Sequence, residues 1–363
     1  MRFHNGTFRV AGALCALALF TCAVQAADAP NGSRTFRMGF TGFMHDITPE
    51  AIASSRSFVR ENGDILAHHI EGVPWAEALH ETPFPKAMLE DWEGKKTAVP
   101  GGGKVFLVIS PGRGELKLAE KAQPLPKELA GKSYDDPLVQ KAYLSYCVRA
   151  IEFFKPDYMG IGIEVNEIYS AGAGKWNAYV KLHQYIYREL KQKFPNIPVF
   201  ATFTLHNIYK QKGAMLAEFQ KLMPFNDLIA VSYYPFFMPE ADRLKALDWL
   251  TESFDAFKKP YAMAETNDAA ERLQFPKSKI VIDGSAEKQR AYYETLLKLA
   301  QKKRFVFVIS FIHQDYDALW EKIKDTSPEL FIAWRDCGLL DENGQPRRAR
   351  EVWKQYFAMP LEK

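Results

Sequence analysis

The run "YMGIGIEVNEIYS", residues 158–170, decides how this sequence reads. It starts like a buried strand, with Tyr158, Met159, Ile161, Ile163 and Val165 spaced by glycines. Glu164, Asn166 and Glu167 then enter the apolar stretch. Burying an unpaired carboxylate costs on the order of several kcal/mol. A strand that closes on Asn-Glu is therefore expected to end at a working surface.

Seven further apolar runs flank this one. They are residues 36–43, 64–72, 104–112, 198–206, 227–236, 261–266 and 304–315. Most are nearly all apolar, as parallel strands covered on both faces should be. Helical patterns separate them. Thr48 is a candidate cap with Pro49 at the first helical position. In residues 136–154, Leu138, Ala142, Leu144, Cys147, Val148, Ile151 and Phe154 recur at helical spacing. Eight β/α alternations without a linker predict an α/β fold of one domain, a (β/α)8 TIM barrel. A doubly wound open sheet would want a glycine-rich phosphate loop after its first strand, and "GFTGF" is a poor one. The segment 73–103, rich in Pro and Gly, reads as an excursion over one face. Together with the loop 267–286 it is expected to wall a cleft.

Residues 1–26 read as a signal peptide. A basic start with Arg2 and Arg9 leads into an apolar stretch too short for a comfortable membrane span, and Val24 and Ala26 suit cleavage after Ala26. A lipoprotein reading at Cys22 fits less well, because Phe20 and Thr21 suit such a site poorly. The barrel domain is then 27–363, secreted or periplasmic, with no stable membrane span. Its cysteines are Cys147 and Cys337, and sequence leaves open whether they pair.

The net charge is +3, and Lys and Arg are spread along the chain. That excludes a nucleic-acid footprint. Seven Trp and sixteen Tyr supply aromatic faces that suit sugar rings as well as cores. No Gly-x-Ser-x-Gly elbow or Walker loop is present, which disfavours a serine hydrolase or a nucleotide enzyme.

Barrel enzymes carry their chemistry at the carboxyl ends of the strands. Here those ends offer His68, His69 and Glu71, then Arg113, Asn166-Glu167, His206-Asn207, Tyr233-Tyr234, Glu265 and His313. Glu167 ends strand four and Glu265 ends strand seven. Strands on roughly opposite sides of a barrel can bring two carboxylates together across its mouth. Such a pair is the equipment of glycoside hydrolysis, set about 5–5.5 Å apart for retention and about 6.5–9.5 Å for inversion. Glu164, three residues before Glu167, points to the opposite face of a regular strand and reads as a supporting group.

"VNEI" at strand four, "SYYPF" at strand six and "AET" at strand seven resemble the retaining glycoside hydrolases of clan A. The nearest pattern is that of family 53, the endo-β-1,4-galactanases. The resemblance implies Glu167 as acid/base and Glu265 as nucleophile. It implies Asn166 on the substrate 2-hydroxyl, and Tyr233 or Tyr234 hydrogen-bonded to the nucleophile. His69 and His206 are further candidate substrate contacts, and Trp320 or Tyr316 stands in for the sugar-stacking Trp of that family. The substrate is then an oligo- or polysaccharide, and no cofactor is required. Two departures stand out. Glu164-Val165 precede the Asn-Glu pair where galactanases place a glycine, and strand eight lacks the family's Trp-Glu-Pro ending.

The departures motivate a rival of another class, a non-catalytic barrel that binds glycan at the cell surface. A metalloenzyme is a third reading. Adjacent histidines on a strand point to opposite faces, so His68 and His69 are poorly placed to share an ion, and no metal is expected.

Overall fold

The computed structural model describes residues 32–362; the expected signal peptide lies outside them. Nine strands form one parallel sheet: β1 (Arg37–Thr41), β2 (Ile65–Glu71), β3 (Lys104–Ser110), β4 (Tyr158–Gly160), β5 (Val199–Phe200), β6 (Thr202–Thr204), β7 (Ile229–Tyr233), β8 (Tyr261–Thr266) and, after a hairpin of β9 (Arg272–Gln274) and β10 (Val281–Asp283), β11 (Phe307–Ser310). Their order is β5-β4-β3-β2-β1-β11-β8-β7-β6. The two ends of that order, β5 and β6, are pieces of one run interrupted at Ala201. The sheet therefore closes on itself as a TIM barrel of eight positions. Closure rules out the open doubly wound sheet.

The interior is packed. Ile65, Ala67, Phe106, Val108, Phe200, Ala230, Ala262, Phe307 and Ile309 fill it, with the Phe106 and Phe307 rings 5.0 Å apart. Alternate residues of the same strands, such as Leu66, Leu107, Met159, Val231 and Met263, face outward into the helix layer. At Gly39 a Cβ would sit 1.8 Å from the Ile65 carbonyl oxygen, so only glycine lets β1 and β2 approach.

Helix starts follow their caps. Thr48 Oγ1 accepts the Ala51 N–H at 3.2 Å ahead of the helix Pro49–Asn62, and Asp136 caps Pro137–Phe154 in the same way. The segment 73–103 departs from its expected role. It forms two helices, Trp75–His80 and Lys86–Lys96, whose Trp75 and Trp92 are fully buried. Trp92 packs on Tyr146, Phe153 and Phe154, which makes this segment part of the helix layer. The loop 267–286 carries the β9–β10 hairpin. Leu273, Phe275 and Ile282 of that loop join an apolar cluster with Tyr234, Phe236 and Tyr316 at the strand ends. Cys147 and Cys337 are both buried and free. Among the described residues, no helix is long and apolar enough to cross a membrane.

Candidate active site

Alternation sorts the two tyrosines of strand six. Ala230 faces the barrel interior and Val231 the helices, so Tyr233 turns outward and Tyr234 inward. Tyr233 accordingly donates its hydroxyl to the Arg243 carbonyl oxygen, and Tyr234 donates to Glu265 Oε1. By simple alternation from Ala262 and Ala264, Glu265 would point outward. A bulge prevents this. β8 pairs Met263 with Val231 but Glu265 with Ser232, and the register shifts against β11 as well. The extra residue re-aims Glu265 into the mouth. The next residue, Thr266, faces out and bonds Tyr233 O and Tyr292.

Glu265 Oε2 lies 2.8 Å from His69 Nδ1. His69 is on the inner face of β2 with Ile65 and Ala67, while His68 packs outward on Phe154 with ring centroids 5.5 Å apart. Both oxygens of Glu265 are thus held by side chains of different strands. Burial, then the Glu265 charge, raise the Tyr234 phenol well above its ordinary value, so it stays a donor.

Strand four ends earlier than its apolar pattern suggests. β4 stops at Gly160, and Glu167 opens a helical turn, Glu167–Ser170. Glu164 has φ +49°, and its carbonyl oxygen accepts the Glu167 N–H at 3.0 Å. That turn overrides the parity of a regular strand. Glu164 and Glu167 do not face apart; both line one cavity of about 240 Å³ with Arg113, Thr204, His206, Asn207, Lys210, Tyr234, Phe237, Leu330 and Trp334.

Within it, Glu167 Oε1 accepts from Asn207 Nδ2 at 2.7 Å and from Asn166 Nδ2 at 3.3 Å. Asn166 is 1% exposed, and its Oδ1 accepts the Thr204 N–H at 2.7 Å. Its amide is committed to strand five and to Glu167. Arg113 reaches Glu164 Oε2 at 3.0 Å and Glu71 Oε1 at 3.6 Å. Burial opposes the Arg113 charge, yet Glu164, Glu71, Glu167 and Glu265, in falling order, raise its pKa above the ordinary value. Two carboxyl groups thus contact the guanidinium, and the charges of two more favour it. Burial first, and the Glu265 charge second, push the Glu164 carboxyl up to about 8 against the pull of Arg113.

His206 also lines the cavity. Its ring packs 5.2 Å from Phe237, and burial followed by the Lys210 charge lowers its pKa to about 3. Trp320 packs against the apolar cluster that contains Leu273, Phe275 and Ile282 and does not line the cavity. The tryptophan at the cavity wall is Trp334, from the 3-10 helix Glu329–Trp334. Sequence reasoning missed Trp334 and Phe237 as site residues, and it listed Asn207 at a strand end without giving it a role. Asn207 was legible as the neighbour of His206 at a strand end; Trp334 carried no such signal. His313 is buried against Phe58, with its pKa lowered to about 3 by burial.

No protein-family model matches the chain, and neither does any curated protein. Solved structures do. GH5_18 from Streptomyces cattleya, in complex with GlcNAc, aligns with TM-score 0.63 and 13% identity over 92% of this chain and 83% of its own. The exo-beta-1,4-mannosidase Op5Man5 from Opitutaceae bacterium strain TAV5 aligns with TM-score 0.59 and 12% identity over 90% of this chain. A fungal beta-1,4-galactanase aligns with TM-score 0.54 and 15% identity over 88% of this chain and 93% of its own. The chain spans 60% of the mannosidase and 51% of a beta-D-glucuronidase from Dictyoglomus thermophilum. These neighbours are clan A glycoside hydrolases, and at such identities what this chain shares with them is the barrel.

Proposed function

We propose that this chain is a retaining glycoside hydrolase of clan A type that cleaves β-linked glycan. One observation carries the reading: Glu265 is contacted at both oxygens, by Tyr234 and His69, and the same Tyr234 lines the cavity that holds Glu167. Contacts at both oxygens fix the orientation of the carboxylate, as a nucleophile requires. Glu265 attacks the anomeric carbon while the bond to the leaving oxygen breaks, and Glu167 gives that oxygen its proton. Water then loses a proton to Glu167 and attacks the anomeric carbon, which frees Glu265 with retained configuration. Asn207 and Asn166 aim the Glu167 carboxyl. Trp334 and Phe237 offer apolar surface to a sugar ring. The motif likeness to family 53 and the structural likeness to a galactanase make β-1,4-galactan a substrate to screen beside β-mannan and xylan.

The test is Glu265→Gln in the full chain, with folding checked by circular dichroism and product configuration read by NMR. Loss of turnover with an intact fold, and a wild-type β-product from a β-substrate, are expected. Full activity of Glu265→Gln refutes the reading. Wild-type protein that binds glycan without ever turning it over hands the site to the glycan-binding rival.

A further inference from the structure

Seven non-glycine residues among those described have φ in the left-handed region. Four of them, Glu81, Lys155, Lys258 and Arg304, cap helix C-termini, where that conformation is common. Those four, with Lys121 and Lys279, are exposed. Glu164 alone turns its side chain inward, with 13% of it exposed. An L-residue with a long side chain is strained there, and glycine is not. Its backbone is pinned by Thr202 Oγ1, which accepts the Glu164 N–H at 2.9 Å. Burial of a carboxyl group adds a second cost. Two unfavourable terms converge on a residue the two-carboxylate mechanism does not use, which is the pattern of strain held at a functional site.

The carboxyl points at Arg113. That residue sits between Gly112, φ +124°, and Gly114, φ +97°, in a tight loop after β3. Arg113 Nη2 donates to Glu164 at 3.0 Å and lies 3.6 Å from Glu71, while 49% of the side chain stays exposed and lines the cavity. A guanidinium has five N–H donors in a planar fork. Fixing some of them on carboxyl oxygens orients those that remain. The cavity also contains Glu167, the group that meets the leaving oxygen, with Trp334 and Phe237 on its wall. Tyr234, the partner of Glu265, lines it as well, so the cavity spans the cleavage point, and the ring beside Glu167 and beyond Glu265 is the one that departs. A sugar there meets aromatic surface for its apolar face and an oriented donor fork for its hydroxyls.

We propose that Arg113, positioned by Glu164, grips the hydroxyls of the leaving-group sugar and so makes the site selective for glycan over non-sugar leaving groups. This inference rests on the hydrolase reading above. Arg113 is the contact; Glu164 is a positioning residue. The grip is irrelevant to an aryl leaving group, which has no hydroxyls to hold.

The experiment compares kcat/KM for a β-linked oligosaccharide that the wild type cleaves with that for the p-nitrophenyl β-glycoside of the same sugar. Arg113→Met and Glu164→Gly should each lose at least about tenfold more on the oligosaccharide than on the aryl glycoside, the excess falling mainly in KM. Glu164→Gln keeps an acceptor for Arg113 and should stay within about threefold on both. The double variant Arg113→Met, Glu164→Gly should be no worse than Arg113→Met alone, because both disable one grip. Glu164→Gly should melt no lower than wild type, since it relieves the backbone strain. Equal losses on both substrates, or no loss on the oligosaccharide, overturn the inference and leave the hydrolase reading standing. A wild type that cleaves neither substrate class overturns both.

Discussion

Tyr234→Phe tests the nucleophile assignment most directly, because it removes one oxygen and little else. The Tyr234 ring is 1% exposed and packs edge-on against Phe311 and Trp334 at 6.0 and 5.5 Å, contacts that Phe keeps. The lost hydroxyl donates to Glu265 Oε1 in a buried setting. A hydrogen bond to a charged group contributes about 1.5–3 kcal/mol. If the bond acts on the attacking carboxylate, that range corresponds to a fall of roughly ten- to hundredfold in kcat/KM. Glu265 remains held at Oε2 by His69, so activity should drop without vanishing. Tyr233→Phe is the internal control. Its hydroxyl bonds the Arg243 carbonyl oxygen in the helix layer, and its loss should lower stability by about 1 kcal/mol with turnover within about twofold of wild type. The assay is steady-state kinetics on an aryl β-glycoside, with melting temperatures for all three proteins. Tyr234→Phe within about twofold of wild type, or Tyr233→Phe losing as much as Tyr234→Phe, would refute the reasoning.

Glu164 has a folded-state pKa of about 8 against an ordinary 4.5. Between those values the unfolded chain has lost the proton and the folded chain retains it, so this group's contribution to stability falls as pH rises. The melting temperature of Glu164→Gln should therefore gain on wild type from pH 5 to pH 8, and a constant difference across that range would contradict the assignment. Burial lowers His68, His206 and His313 to about 3 and His183 to about 4, from 6.5. Below pH 6.5 the unfolded chain takes up protons that these imidazoles refuse, so stability should fall steeply on acidification and less steeply in His313→Phe. In protein without residues 1–26, Cys147 and Cys337 should resist thiol reagents in the native state and react as two free thiols once denaturant opens the core, whereas a disulfide between them would give none.

The barrel was legible because its strands are buried on both faces and therefore read as apolar runs, each followed by a helix with its own start signal, as at Thr48-Pro49. The strand-end rule also drew attention to Glu167, Glu265, His69 and His206. What periodicity did not carry was the direction of the decisive side chains. The segment 73–103 was misplaced because Pro and Gly mark its boundaries, while Trp75 and Trp92 anchor its interior in the helix layer. Trp334 was invisible because it reaches the cavity from a 3-10 helix well beyond strand eight.

The remaining discrepancies share a cause. β4 stops at Gly160, strand five breaks at Ala201, and β8 bulges before Glu265. The first and the last occur toward the carboxyl end of their strands and alter which way the following side chains face, whereas across Ala201 the alternation continues, with Phe200 inward and Phe203 outward. Simple alternation would send Glu265 into the helices and would set Glu164 and Glu167 on opposite faces. The observed backbone brings Glu265 into the mouth and puts Glu164 and Glu167 on one cavity. Regular repetition makes the barrel readable, and the site is assembled where that repetition is interrupted. The interruptions are local costs in hydrogen bonding and backbone strain, tolerated where a carboxylate must be aimed. A sequence pattern reports the repeat; the breaks depend on neighbouring strands, as when Asn226 Oδ1 takes the Ala201 N–H at 2.6 Å inside the broken fifth strand.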